Sequence, residues 1–205
     1  MIKILFLISA PGPTWDRIVS AQRKPGWILI FHLLPLLLLS SAAEGFGLVE
    51  WGKRRGLGSH FFTFSPHEAV VFEAAQILLS VAIVVLAARI IKSLGETFHG
   101  RHSFTETFTV AAYGLGPLFM LRMFNAFPYI SPWLVWAVGF FLVTSLLYSG
   151  IPRVMRPDPP HALGLYLMSI LLLLIITGLT AFVTIWFLQG RFARVNEWFS
   201  SIAGK

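Results

Sequence analysis

Five apolar runs, separated by prolines, glycines and charged residues, leave this chain few ways to fold. They are Trp27 to Ala43, Ala69 to Ile91 with Glu68 at its border, Thr107 to Phe124, Pro132 to Ser149, and Ala162 to Leu188. The first has seventeen residues. As a helix it rises about 25 Å, which crosses a hydrocarbon core of about 30 Å once flanking residues contribute. A helix is also the form in which such a run satisfies its own backbone in lipid. Composition agrees: 56% of the residues are hydrophobic and 12% are charged, whereas about a quarter are charged in soluble proteins. The expected fold is an all-α polytopic membrane protein with five transmembrane helices and an interfacial helix at each terminus. No polar stretch exceeds roughly 30 residues, too few for a separate domain of the usual 50 or more. The expected division is therefore an N-terminal interfacial segment 1–26, a five-span membrane domain 27–188 and an amphipathic tail 189–205.

The connections give this frame its direction. Residues 148 to 167 hold Gly150, Pro152, Pro157, Pro159 and Pro160 between the fourth and fifth runs. Proline lacks the amide donor and fixes φ, so this stretch is expected to stop the fourth helix near Ser149 and form a stiff hairpin over 150–161. Arg153 and Arg156 lie in it against Asp158 alone, the bias of a loop left on the cytoplasmic side. With the N-terminus inside, nine bases fall on that side (Lys3, Arg17, Arg23, Lys24, Arg89, Lys92, Arg101, Arg153 and Arg156) and seven on the other. Met1 to Ala10 superficially resembles a signal peptide, but Trp15 to Lys24 continues it amphipathically. An interfacial helix is expected there, with Trp15 at headgroup level. In the tail, Phe192, Val195, Phe199 and Ile202 recur at helical spacing beside Arg191 and Arg194, which predicts a surface helix.

Polar residues inside the runs are few, and each needs a partner. Glu73 lies about one turn inside the start of run two and Arg122 near the end of run three. An antiparallel hairpin turning at 92–106 brings them to one depth, so Glu73 and Arg122 are expected to form a structural pair, with Gln76 one turn deeper as a further donor to Glu73. Bends are expected at Pro35 and at Tyr113 to Pro117, where two glycines precede the proline. His32, near the start of run one, reads as a satisfied interfacial side chain. His99 and His102 with Glu96 and Glu106 have the residue types of a zinc site, yet Gly100 intervenes and no helical face is fixed. A capping box, Ser103 with Glu106, is the preferred reading. No cysteine is present, so disulfides and thiolate chemistry are excluded. No nucleophile motif, metalloprotease motif or phosphate loop occurs, so neither catalysis nor a cofactor is expected. The net charge of +7 is not gathered into one arm; it fits anionic headgroups better than nucleic acid.

Short motifs along the chain resemble the Yip domain family, the Ypt/Rab-interacting five-span membrane proteins and their bacterial relatives. They are Ser9 to Pro11 with Thr14 to Ile18 before the first run, Gly100 to Phe108 leading into Ala112, Tyr113 and Pro117, and Tyr148, Gly150 and Pro152 ahead of Ala162 to Tyr166. Two departures are His99, where a second glycine is usual, and the absence of the long soluble N-terminal region of eukaryotic trafficking members. The resemblance therefore implies a short bacterial member in the cytoplasmic (inner) membrane, N-terminus inside and C-terminus outside, without Rab binding. It further implies a non-enzymatic scaffold or interaction protein in membrane organisation or protein trafficking. Its partners would be the lipid bilayer and other membrane or membrane-associated proteins, with a homo-oligomer left open. Arg101, Tyr148, Gly150, Pro152, Arg153 and Arg156 would form the cytoplasmic docking face. The alternative is a small-solute permease or channel component built on the proline-broken runs one and three.

Overall fold

Prolines open five of the described helices, because the first helical position needs no amide donor and favours the φ that the pyrrolidine ring imposes. Pro11, Pro25, Pro66, Pro132 and Pro159 each begin a helix. The computed structural model describes residues 2–54, 61–98, 102–192 and 201. Two short helices, α1 (Ile2–Ser9) and α2 (Pro11–Ser20), precede five helices long and apolar enough to cross a membrane. These are span one (Pro25–Glu50), span two (Pro66–Thr97), span three (Phe104–Ala126), span four (Pro132–Met155) and span five (Pro159–Leu188). Spans two and three both start with a reciprocal capping box. Ser65 accepts from the Glu68 amide at 3.2 Å while Glu68 accepts from the Ser65 amide at 2.8 Å, and Ser103 with Glu106 repeats the arrangement at the same distances. Each box satisfies two helix-start donors that lipid could not.

Span three is the centre of the bundle. It packs against spans one, two and four, while span five leans on spans two and four from outside. Two thirds (67%) of the apolar stretch of span three is buried, against 17% for span five. Phe98, Ser103, the turn 156–158 and helix α2 lie at one end of the bundle, called here the basic end; Glu50, Pro66, Ala126, Pro132 and Leu188 lie at the far end.

At both positions where a bend is expected the regular α-helix is interrupted, and each interruption has a local cause. Pro35 cannot donate to the carbonyl four residues back, and the helix ahead of it widens into a π turn over Leu29–Leu33, with the Leu34 amide reaching Leu29 O. Span three breaks at Leu115, between Gly114 and Gly116, and restarts with Pro117 in its first turn. It ends in a 3₁₀ helix, Arg122–Ala126.

Three expectations are corrected. Span four does not stop at Ser149: it runs through Pro152 to Met155, and the turn between spans four and five shrinks to residues 156–158, with Arg156 left-handed at φ 48°. Burial of Ile151, Val154 and Met155 and the Arg153 guanidinium on Ser149 O at 2.9 Å hold the turn that Pro152 weakens. Span one does not end at Ala43 either: it stays helical to Glu50. Beyond it, Lys53–Arg54 pairs antiparallel with Phe61–Phe62, Lys53 opposite Phe62. Finally, α1 and α2 do not merely lie on the surface. Trp15 is fully buried, edge-on to Tyr113 at 6.4 Å, and Tyr113 stacks on His32 at 4.1 Å. Ile4 abuts Gly116, where an added Cβ would stand 3.0 Å from it, about 18 Å along span three from its start. The N-terminal helices are thus a wedge in the core. The surface helix expected over 192–202 falls, after Phe192, almost wholly outside the described residues.

With span five crossing the bilayer, reporters fused after Lys205 and inserted within 156–158 are expected to read opposite sides of the membrane. A common side for both would mean that span five does not cross.

Candidate functional site

At the far end, three spans converge on one guanidinium. Glu44 lies about 9 Å inside the end of span one and Glu73 about 10 Å inside the start of span two, on the 1.5 Å helical rise. Arg122 opens the terminal 3₁₀ helix of span three between them. Its Nε donates to Glu44 Oε2 at 2.5 Å, and its Nη2 donates to Glu73 Oε2. Asn125 Nδ2 donates to the other Glu44 oxygen at 3.3 Å. Glu44 is 1% exposed and Glu73 6%, so neither carboxylate is solvated by bulk water. Small residues make this approach feasible. A Cβ on Gly45 would stand 3.3 Å from the Glu73 side chain, and one on Gly47 would strike the backbone of Ala126.

A second base adjoins the clasp. Lys53, buried just beyond span one, donates from Nζ to the Asn125 carbonyl. Burial pushes its ammonium below the usual lysine range, and the Glu44 carboxylate works in the opposite direction. Two carboxylates thus face two cations, and the group is balanced overall.

The sequence placed Glu73 and Arg122 at one depth, and the structure brings them together. Gln76 does not join them: its amide donates to Thr184 Oγ1 of span five at 3.2 Å. Glu44 escaped the sequence reading because Glu44, Gly45 and Gly47 look like the start of a loop. The available signal was helical periodicity, since the buried face of span one runs Ser40, Ser41, Glu44, Gly47 and Leu48. Beside the clasp, a cavity of about 100 Å³ lies between spans two, three, four and five, with Gln76, Arg122, Asn125, Trp136 and Thr184 among its walls.

At the basic end, Tyr148, Pro152, Arg153 and Arg156 are all exposed. Tyr148 stands edge-on to Tyr166 at 5.4 Å. Arg153 reaches Asp16 of α2 at 3.5 Å, an exposed pair of little energetic weight. Arg156 lies on the rim of a pocket of about 380 Å³ between α2 and the ends of spans three and four, with Arg23, Ser103 and Glu106 around it. Gly150 is corrected from a docking residue to a packing one: it is buried beneath Trp15, where an added Cβ would meet the indole at 2.6 Å. Arg101 and His99 lie outside the described residues. His102 is buried, with its ring over Gly95.

A helical membrane protein of five spans, with a buried ionic clasp at one end and an exposed basic face at the other, is what these features define. The chain belongs to the Yip1 domain family, whose pattern matches residues 5–189, from within α1 to the residue after span five. No curated protein and no solved structure matches it.

Proposed function

We propose that this protein is a non-enzymatic membrane scaffold or interaction protein, acting in membrane organisation or protein trafficking through its basic end. The observation that carries this reading is the division of charge along the bundle. At the far end Glu44, Glu73 and Arg122 are tied to one another inside the protein, whereas Arg153, in the last turn of span four, and Arg156, just after it on the rim of the pocket beside α2, are exposed. Exposed arginines near an aromatic ring are suited to an acidic surface, because guanidinium is weakly hydrated and donates in a planar fork. The reading places the basic end in the cytoplasm and the protein in a bacterial inner membrane, with Arg101 as a third base of the docking face and membrane or membrane-associated proteins as its partners. No cofactor or nucleic acid enters it.

Replacing Arg101, Arg153 and Arg156 together by glutamate is expected to abolish recovery of a co-purifying protein after gentle solubilisation. Membrane insertion should be unchanged, since all three side chains are assigned to water rather than lipid. Equal recovery of the partner with the triple variant would remove this face from the docking role.

One observation favours a second reading, a small-solute permease. The cavity beside the clasp adjoins span three, which is broken at Leu115, and broken helices are how transporters offer backbone to a solute. Solute flux through the purified protein in liposomes supports this alternative; tight liposomes together with a stoichiometric protein partner support the scaffold.

A further inference from the structure

Gln22 and Arg156 are the two residues other than glycine, among those described, that hold a left-handed backbone, at φ 43° and 48°. They come from different elements, Gln22 just after α2 and Arg156 just after span four, and both line the pocket of about 380 Å³ at the basic end. Glycine is what a left-handed helix exit favours, because a Cβ is crowded there. Side chains kept in such backbone cluster where a ligand is held. Here two of them meet on one pocket.

The other walls are rich in donors. The Arg156 guanidinium, the Gln22 amide and the Thr105 hydroxyl belong to exposed residues and make no hydrogen bond to any described residue. The Arg23 guanidinium is held 4.3 Å from the centre of the Trp27 ring, a stack that fixes its plane and leaves its edge N–H groups to a further partner. Glu106 is the carboxylate among the walls, and it is turned to the Ser103 amide at 2.8 Å. Two positive charges thus outnumber one negative. Ile18, Val154 and Met155 complete the walls with hydrocarbon.

Two guanidinium forks with an amide and a hydroxyl suit an anion that offers oxygens in several directions, which a phosphate does and a carboxylate, with its two coplanar oxygens, does less well. Depth agrees with this chemistry. Trp27 lies in the first turn of span one and Met155 ends span four, so the pocket sits where the spans leave the hydrocarbon, at headgroup level. We propose that this pocket binds a phosphate ester, its oxygens held by Arg23 and Arg156 with Gln22 and Thr105 completing the set. The ester is carried by a lipid of the adjoining leaflet or by a soluble molecule, and the recognition chemistry is the same for both. Arg156 is shared with the proposed docking face, but Gln22, Arg23 and Thr105 are not, so the two readings stand or fall separately.

The test titrates the full chain in mild detergent, by calorimetry, with dihexanoyl phosphatidic acid, glycerol 3-phosphate and dihexanoylglycerol. Saturable one-to-one binding of a phosphate-bearing probe is expected, and none of dihexanoylglycerol. Binding of phosphatidic acid alone assigns the lipid source; equal binding of glycerol 3-phosphate assigns the soluble one. Arg23→Gln and Arg156→Gly each remove a charged donor and should weaken binding about ten- to a hundredfold, whereas Gln22→Gly removes a neutral one and should weaken it about three- to tenfold. Arg156→Gly and Gln22→Gly also relieve the left-handed backbone, so both should melt no lower than the parent. Weaker binding by a protein at least as stable separates contact with the ligand from damage to the fold. Failure of both phosphate probes to saturate, equal binding of dihexanoylglycerol, or unchanged affinity in Arg23→Gln and Arg156→Gly overturns the proposal. The docking reading is judged by partner recovery instead and survives that outcome.

Discussion

Arg122→Gln is expected to destabilise the folded protein by about 3–5 kcal/mol, the range seen when one partner of a buried ion pair is removed and the other is left charged. Here two carboxylates are stranded rather than one. Glu44 Oε2 and Glu73 Oε2 both accept from Arg122, and the neighbouring helices leave them almost no exposure. Glu44 keeps Asn125 as a donor at 3.3 Å and Lys53 as a nearby cation, so the larger share of the loss falls on Glu73. Glu73→Gln and Glu44→Gln should each cost less than Arg122→Gln, because the arginine retains one carboxylate in either variant. The pairs are then separable by double-mutant cycles. Glu73→Gln combined with Arg122→Gln should lose clearly less than the sum of the two, by about 0.5–3 kcal/mol of coupling. Thermal unfolding in a mild detergent measures all of these. Additive losses in the Glu73 and Arg122 cycle would mean that the two side chains do not meet in the folded protein.

What each residue's neighbours supply decides how much of the fold is legible in the sequence. The five apolar runs were legible because lipid leaves a long apolar segment little choice but helix, and Glu73 and Arg122 were legible because helical rise alone sets their depth. Span ends were less so. Glu44 read as the end of a span since a glutamate followed by two nearby glycines is costly in lipid; it is helical because Arg122 and Asn125, 78 and 81 residues away, satisfy it. Pro152 read as a helix stop because its missing amide costs a hydrogen bond, and burial of Ile151, Val154 and Met155 outweighs that loss. Trp15 read as an interfacial anchor because tryptophan favours headgroups. Gly150 offers it a seat that no local pattern announces, and the same contact withdraws Gly150 from the docking face. In each case the missing information was a long-range partner.

Gly47→Leu should be the most damaging single packing change at the far end of the bundle. Even a bare Cβ at Gly47 would collide with the Ala126 carbonyl oxygen and Cα and stand 2.7 Å from its carbonyl carbon. Those are backbone atoms, unable to rotate aside as a side chain can. Inserting atoms into a packed site costs about 1–3 kcal/mol, occasionally more, and Gly47→Ala belongs near the top of that range. The leucine variant must push span one off the 3₁₀ end of span three. Its effect should reach beyond packing, because Glu44 lies one helical turn before Gly47 and Arg122 opens the same 3₁₀ helix that Ala126 closes. A wedge at Gly47 therefore also draws Glu44 from Arg122. The loss from Gly47→Leu should consequently shrink when Glu44→Gln is already present, whereas a purely steric effect would be the same in both backgrounds. Gly26→Ala is the control, since nothing lies within 4 Å of its added Cβ and its melting should match the parent. If Gly47→Ala melts with Gly26→Ala, spans one and three do not approach as closely as Gly47 and Ala126 require.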